Sequence, residues 1–347
     1  MVHLEQLDES NRSAFLDLLQ EPWSLNWQAS LAREIVQWRY FDRPDTAVTW
    51  LIMDDDRCVA MLDSMLRSYM LDGHHIKVRE TADWYCVPRL RSRGIGLRLM
   101  LHLVKQSAEP VFVLGGSEMN VALLSKMHGW RTLGSATSFI MPLKVRELVA
   151  NLFRRRGKQE WMARSVPAFL PAKMPRHIRP PNGHRLTTTT FGQTISMPAT
   201  DATGLVQLLD KDHWAWLRRM PSAMAEPIGL QFFLDDRCIG VSVSQVEPTA
   251  TGLDGRIVCL YGTDESLLSL LVYETTHYLA QNKVGLIRCC VSTPSKVMAM
   301  KEVGYIKAGE LPCLWRHGAL SPTSIDVGFM HSDSCIPFQS LRNRMPV

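Results

Sequence analysis

The stretch Cys86-Val87-Pro88-Arg89-Leu90-Arg91-Ser92-Arg93-Gly94-Ile95-Gly96-Leu97-Arg98-Leu99-Met100 decides how this chain reads. A strand-like apolar run stops at Pro88 and gives way to a basic turn holding two glycines. A Leu- and Met-rich helical pattern follows. Such a turn aims consecutive backbone N–H groups at one point, ahead of a helix N-terminus whose dipole favours negative charge. Gly94 and Gly96 have no Cβ, so a phosphate can approach the backbone closely. The segment reads as a pyrophosphate cradle.

Working outward, the elements around the turn alternate between strand and helix. Helical spacing covers Asn11 to Leu19, through Phe15, Leu18 and Leu19, and again Ser30 to Tyr40. Val48 to Met53 and Arg57 to Met65 read as strands joined by an Asp54-Asp55-Asp56 hairpin turn. Val78 to Val87 is a strand, Leu97 to Gln106 a helix and Val111 to Leu114 a short buried strand. Val121 to Met127 is helical and stops at Gly129. Strand pattern then runs from Trp130 to Leu143.

The second half reads as a degenerate copy of the first. Trp50-Leu-Ile-Met-Asp-Asp-Asp-Arg-Cys-Val-Ala is echoed by Phe232-Phe-Leu-Asp-Asp-Arg-Cys-Ile-Gly. Gln37-Trp38-Arg39-Tyr40 with Pro44 is echoed by Trp216-Leu217-Arg218-Arg219 with Pro221. Ser125-Lys126-Met127-His128-Gly129-Trp130 is echoed by Met300-Lys301-Glu302-Val303-Gly304-Tyr305. The shared order and near-constant offset point to duplication. The length of 347 residues also suits two domains.

Composition is that of an ordinary globular protein, 46% hydrophobic and 21% charged. No apolar run approaches the ~18 residues that span a bilayer. The N-terminus is too polar for a signal peptide, so a cytoplasmic location is expected. The eight cysteines form no CxxC pair and no metal-ligand spacing; they read as reduced, structural residues. The net charge of +5 is concentrated between Lys144 and Arg185, which hold eleven Lys or Arg against two acidic residues. The remaining body is close to neutral, which argues against nucleic-acid binding. Within the basic segment, Val145, Leu148, Leu152 and Phe153 share one helix face. A Pro-rich, partly extended linker follows. That helix either packs on the domains with a solvated basic face or contacts an anionic partner or membrane surface.

With these residues in hand, Arg91-Ser92-Arg93-Gly94-Ile95-Gly96 resembles the Arg/Gln-x-x-Gly-x-Gly/Ala signature of the GNAT superfamily of N-acetyltransferases. Asn120, followed by a helix ending Lys126-Met127-His128-Gly129-Trp130, is similar to the family's Asn-x-x-Ala…Lys-x-Gly-Phe element. The resemblance carries motifs over residues 5 to 143 and continues over 186 to 318 as a repeat without them. It implies an α/β fold of two tandem GNAT-like domains, each a mixed, splayed central sheet flanked by helices. The expected plan is a domain over 1–143 with an intact loop and a basic helix and linker over 144–185. A degenerate domain over 186–320 and a tail over 321–347 complete it.

The resemblance further implies that acetyl-CoA or another acyl-CoA binds between two central strands. Pantetheine would pair with backbone near Cys86 and Val87, and the pyrophosphate would rest on Arg91, Ser92, Arg93, Gly94, Ile95 and Gly96. Asn120 would complete the cofactor set. The acceptor would be a small-molecule amine, such as an amino sugar or a cell-envelope or polysaccharide precursor. Glu80, on the same strand face as Ala82, Trp84 and Cys86, sits where family members with a strand glutamate base carry it. Asp83 on the opposite face is its rival, and surface pairing of Glu80 with Arg79 or Lys77 is the bland alternative. A backbone N–H near Val87 would polarise the oxyanion. The family's general-acid tyrosine position is Ser125 here, which leaves Tyr85, a water or no acid at all. The second copy reads Leu260-Tyr261-Gly262-Thr263-Asp264-Glu265 opposite the cradle, and its acids would repel a pyrophosphate. Aminoacyl-tRNA-dependent transfer of the peptidoglycan-bridge type, or a non-catalytic binding module, is the competing reading.

Overall fold

The computed structural model describes residues 2–23, 30–44, 46–155, 160–167, 169–181, 183–192, 204–317, 320 and 322–328. The first repeat opens with β1 (Val2–Gln6), α1 (Arg12–Trp23), α2 (Ser30–Val36) and a π-helical turn over Gln37–Phe41. It continues through β2 (Ala47–Asp54), β3 (Arg57–Leu71), β4 (His74–Cys86), α3 (Ile95–Gln106), β5 (Val111–Leu114), α4 (Glu118–Lys126) and β6 (Trp130–Pro142). After α5 (Val145–Arg155) come β7 (Leu186–Thr190), β8 (Leu205–Gln207), α6 (Lys211–Arg218), β9 (Glu226–Leu234), β10 (Arg237–Pro248) and β11 (Leu253–Gly262). The second repeat closes with α7 (Leu268–Gln281), β12 (Val284–Val291), α8 (Pro294–Val303), β13 (Ile306–Arg316) and β14 (Ile325–Asp326).

Local chemistry explains these elements. α3 buries Ile95, Leu99, Met100 and Leu103 along one stripe. The side chain of Ser117 caps α4, Asp210 caps α6 and Thr293 caps α8, each accepting a backbone N–H three residues on. The two acidic hairpins are alike: Asp55 has φ 52°, and Asp235 and Asp236 have φ 49° and 69°. Asp tolerates this left-handed geometry better than most residues. β3 extends to Leu71, six residues past the expected end, because it pairs with β4 through Leu71–His74, and β8 adds to it at Tyr69 to Leu71.

The repeats join by exchanging strands within one mixed sheet. Its order is β1-β2-β3-β4-β5-β13-β6-β12-β11-β10-β9-β7. The strand that closes the main sheet of each repeat therefore lies in the other's half: β13 pairs with β5, and β6 with β12. The two exchanged strands also pair with each other. A second link is equally symmetric. The buried indoles of Trp38 and Trp216 stack at 4.5 Å and 7°. Each Nε1–H donates to the other's backbone carbonyl, at 2.9 and 3.0 Å. Trp38 and Trp216, paired in the sequence as repeat equivalents, are thus core aromatics at the joint.

Candidate functional site

β4 and β5 run parallel but pair only at Arg79–Val111 and Glu80–Phe112. Beyond that point they diverge, and the gap between them is a cleft of about 530 Å³. Thr81, Ala82, Tyr85 and Cys86 line one wall, and Val113 to Ser117 the other. Arg91, Ser92, Gly94, Gly96 and Asn120 close its mouth. Gly94 has φ 71° and precedes α3, whose N-terminus has no side-chain cap. Its first-turn N–H groups are therefore left for an anion. Gly96 lies against Cys86 Cβ and Trp84 Nε1, each 3.4 Å from where a Cβ would stand, and Trp84 Nε1 donates to the Gly96 carbonyl at 3.0 Å. These contacts hold the turn against the strand, so the residues present fit a pantetheine-and-pyrophosphate ligand.

The remaining expected cofactor residues are placed differently. Val87 and Ile95 are buried in the core, and Arg93 is exposed away from the cleft lining. The Val87 N–H itself donates to Val59 O at 3.0 Å. Arg91 lines the cleft, and its Nε donates to Cys86 O at 2.9 Å. Ser125 is turned away: its hydroxyl donates to Val121 O at 2.8 Å within its own helix. Tyr85 does line the cleft. Burial pushes the Cys86 thiol up, so it offers no thiolate nucleophile at neutral pH.

The two candidate carboxylates occupy distinct settings. Glu80 is buried at the root of the splay, where its Oε1 accepts from Tyr69 OH and from Gln207 Nε2 of the second repeat. The bland alternative of an exposed strand-end charge is therefore excluded. Asp83 sits in a bulge, where Asp83 and Trp84 together face Leu62 across the ladder, and has φ 46°. Its Oδ2 accepts from Arg39 Nε and Tyr40 OH, both at 2.8 Å. The Arg39 and Asp83 side chains are 1% and 6% exposed. The Trp38-Arg39-Tyr40 string thus clamps the bulge beside the cleft. The sequence carried no signal for this contact, nor for Gly115 and Gly116, whose φ of 77° and 120° turns the far wall.

The corresponding gap in the second repeat is occupied between its strands by the chain itself, and a cavity of about 410 Å³ lined by Gly262, Thr263, Glu265, Lys296 and Asp326 remains at its mouth. β11 and β12 pair through Ile257–Cys289 and then part. Residues 325–328 enter there: a Cβ on Gly328 would lie 2.6 Å from Val258 O and 3.5 Å from Cys290 O. Val327 N–H donates to Ser292 Oγ, which donates to Ile325 O. Lys296 pairs with Asp326 at 2.7 Å. The tail, expected to carry no readable role, supplies this plug over its described part; residues 329–347 lie outside the described residues.

The two repeats together build a splayed sheet with one open, glycine-lipped cleft in the first of them. Residues 12–125 match the family model of the acetyltransferase (GNAT) family. That match spans about a third of the chain and marks a GNAT-like domain within the first repeat. Similar solved structures include a GCN5-related N-acetyltransferase from Anabaena variabilis, at 10% identity and TM-score 0.57, over 91% of this chain and 72% of that one. Another is Saccharomyces cerevisiae N-myristoyltransferase with bound myristoyl-CoA, at 11% and 0.54, over 94% and 86%. A tandem GNAT protein from the clavulanic acid biosynthesis pathway matches at 14% and 0.53, over 92% of this chain and 100% of that one. At these identities the likeness is one of fold. A search of curated proteins finds no match.

Proposed function

We propose that this protein moves an acyl group, most simply acetyl, from CoA to the amino group of a small molecule in the cytoplasm. An amino sugar or another envelope or polysaccharide precursor is the acceptor class we favour. The observation that carries the reading is the contrast between the two gaps: one lipped by the basic turn Arg91 to Gly96, the other lined by Glu265 and Asp326 and entered between its strands by residues 325–328. One cofactor site per chain follows. The bound thioester supplies an activated acyl carbon; the protein must orient it and take a proton from the amine.

We assign Glu80 as the proton acceptor. Asp83 is committed to Arg39 and Tyr40, whereas both contacts to Glu80 fall on Oε1 and neither on Oε2. Tyr85, on the cleft wall, is the side chain we place to return a proton to the departing thiolate. An anionic partner for the basic segment 144–185 belongs to the same reading.

Thermal shift with acetyl-CoA tests the site. Stabilisation is expected, and Gly94→Trp should abolish it while the unliganded protein still melts cooperatively. No shift with any acyl-CoA would sink the proposal. Thioester release against a panel of amines and amino sugars then identifies the acceptor.

A further inference from the structure

α5 is built inside out. Its buried positions are Glu147, Ala150 and Asn151, whereas Val145, Leu148, Val149 and Phe153 are only partly covered and Leu152 is exposed. At 100° per residue the apolar stripe points directly away from the buried one. The inward polar face is specifically accommodated. Glu147 fills space left by two glycines, since a Cβ on Gly252 would lie 2.3 Å from its Oε1 and one on Gly285 2.6 Å from its Cδ. Asn151 accepts from Arg288 Nη2 at 3.2 Å. Either glycine with a side chain would expel the carboxylate. Of Val145, Leu148, Leu152 and Phe153, only Leu152 is exposed.

The segment after α5 adds to the same surface. It folds back on the helix, with Val145 N–H donating to Leu170 O at 3.0 Å and Arg146 Nε to Val166 O at 2.6 Å. Nine large apolar side chains are exposed among the described residues. Five of them, Leu152, Met162, Phe169, Leu170 and Met174, fall within 152–174. Phe169 is 82% exposed. A soluble surface seldom concentrates such side chains in one place without a partner. In sequence the segment is strongly basic, with eleven Lys or Arg against two acids over Lys144 to Arg185, and one of those acids, Glu147, is buried.

We propose that this face docks on an anionic phospholipid membrane, with the apolar side chains entering the headgroup–acyl boundary and the cations meeting lipid phosphates. A second copy of the chain would set the same positive charges against each other, so self-association does not fit. No helix among the described residues is long and apolar enough to cross a membrane, so the contact is peripheral. The inference names the anionic partner of the basic segment and stands whether or not acyl transfer is confirmed.

Co-sedimentation of the full chain with vesicles tests it. The protein should pellet with phosphatidylcholine vesicles containing phosphatidylglycerol, but not with phosphatidylcholine alone, and added salt should weaken binding. Leu152→Asp combined with Phe169→Asp should lower binding at least tenfold and leave the acetyl-CoA thermal shift unchanged. Should that variant misfold, Arg176→Glu with Arg179→Glu provides the same loss through charge. Equal pelleting of parent and both variants overturns the proposal, as does no pelleting with either vesicle. A parent that self-associates and a Leu152→Asp/Phe169→Asp variant that is monomeric would assign the face to a second copy instead. Thioester release measured in parallel keeps failure here separate from failure of the transferase reading.

Discussion

Replacing Arg39 with Met is the sharpest test of how the cofactor cleft is maintained. The guanidinium is 1% exposed and holds an Asp83 carboxylate that is 6% exposed. Asp83 also adopts φ 46°, a backbone region unfavourable for a residue with a Cβ. Truncating one partner of such a pair leaves a buried carboxylate without its guanidinium. The expected cost is about 3–5 kcal/mol, a large share of the ~5–15 kcal/mol that holds a typical protein folded. The bulge at Asp83 and Trp84 should relax with it, moving the strand that forms one wall of the cleft. Urea unfolding at constant m-value gives the stability loss, and titration with acetyl-CoA gives the affinity. The double variant Arg39→Met/Asp83→Asn should be less destabilised than the sum of its single variants by about 2 kcal/mol or more, since it leaves no unpaired charge. A loss under about 1 kcal/mol for Arg39→Met, with unchanged cofactor affinity, would refute the clamp.

Three further outcomes follow from the same geometry. Trp216→Ala removes a fully buried indole and the hydrogen bond its Nε1–H donates to Trp38 O; a loss of about 3–5 kcal/mol is expected by denaturation, and under about 1 kcal/mol would mean the joint is not held there. Glu80→Gln should slow acyl transfer without weakening acetyl-CoA binding, and unchanged turnover would remove Glu80 from the base role. Burial holds the Glu147 carboxyl above its ordinary value of 4.5, so the folded state binds that proton more tightly than the unfolded chain. Stability should therefore fall as pH rises from about 4.5 through the folded value, and Glu147→Gln should flatten that part of the profile; parallel profiles would count against it.

The local parts of this molecule were legible in the sequence. The spacing of Leu99, Met100 and Leu103, the glycine turn at 94–96 and the paired acidic hairpins act within a few residues, so local pattern suffices to read them. The duplication was legible too, through Trp38 and Trp216. What they do was not, because each indole is completed by a partner 178 residues away. The same holds for Arg39 and Asp83, and for the exchange that puts β13 between β5 and β6. α5 shows the limit most clearly. Its apolar stripe left open whether it meets the domains or a partner, whereas Gly252 and Gly285 leave room for Glu147, so Glu147, Ala150 and Asn151 form the buried face. The chain by itself determined which segments form strands, helices and the cofactor turn, since those depend on neighbours in sequence. Tertiary structure alone decided that one gap stays open between its strands and the other is occupied there by residues 325–328, because that outcome rests on contacts between distant segments.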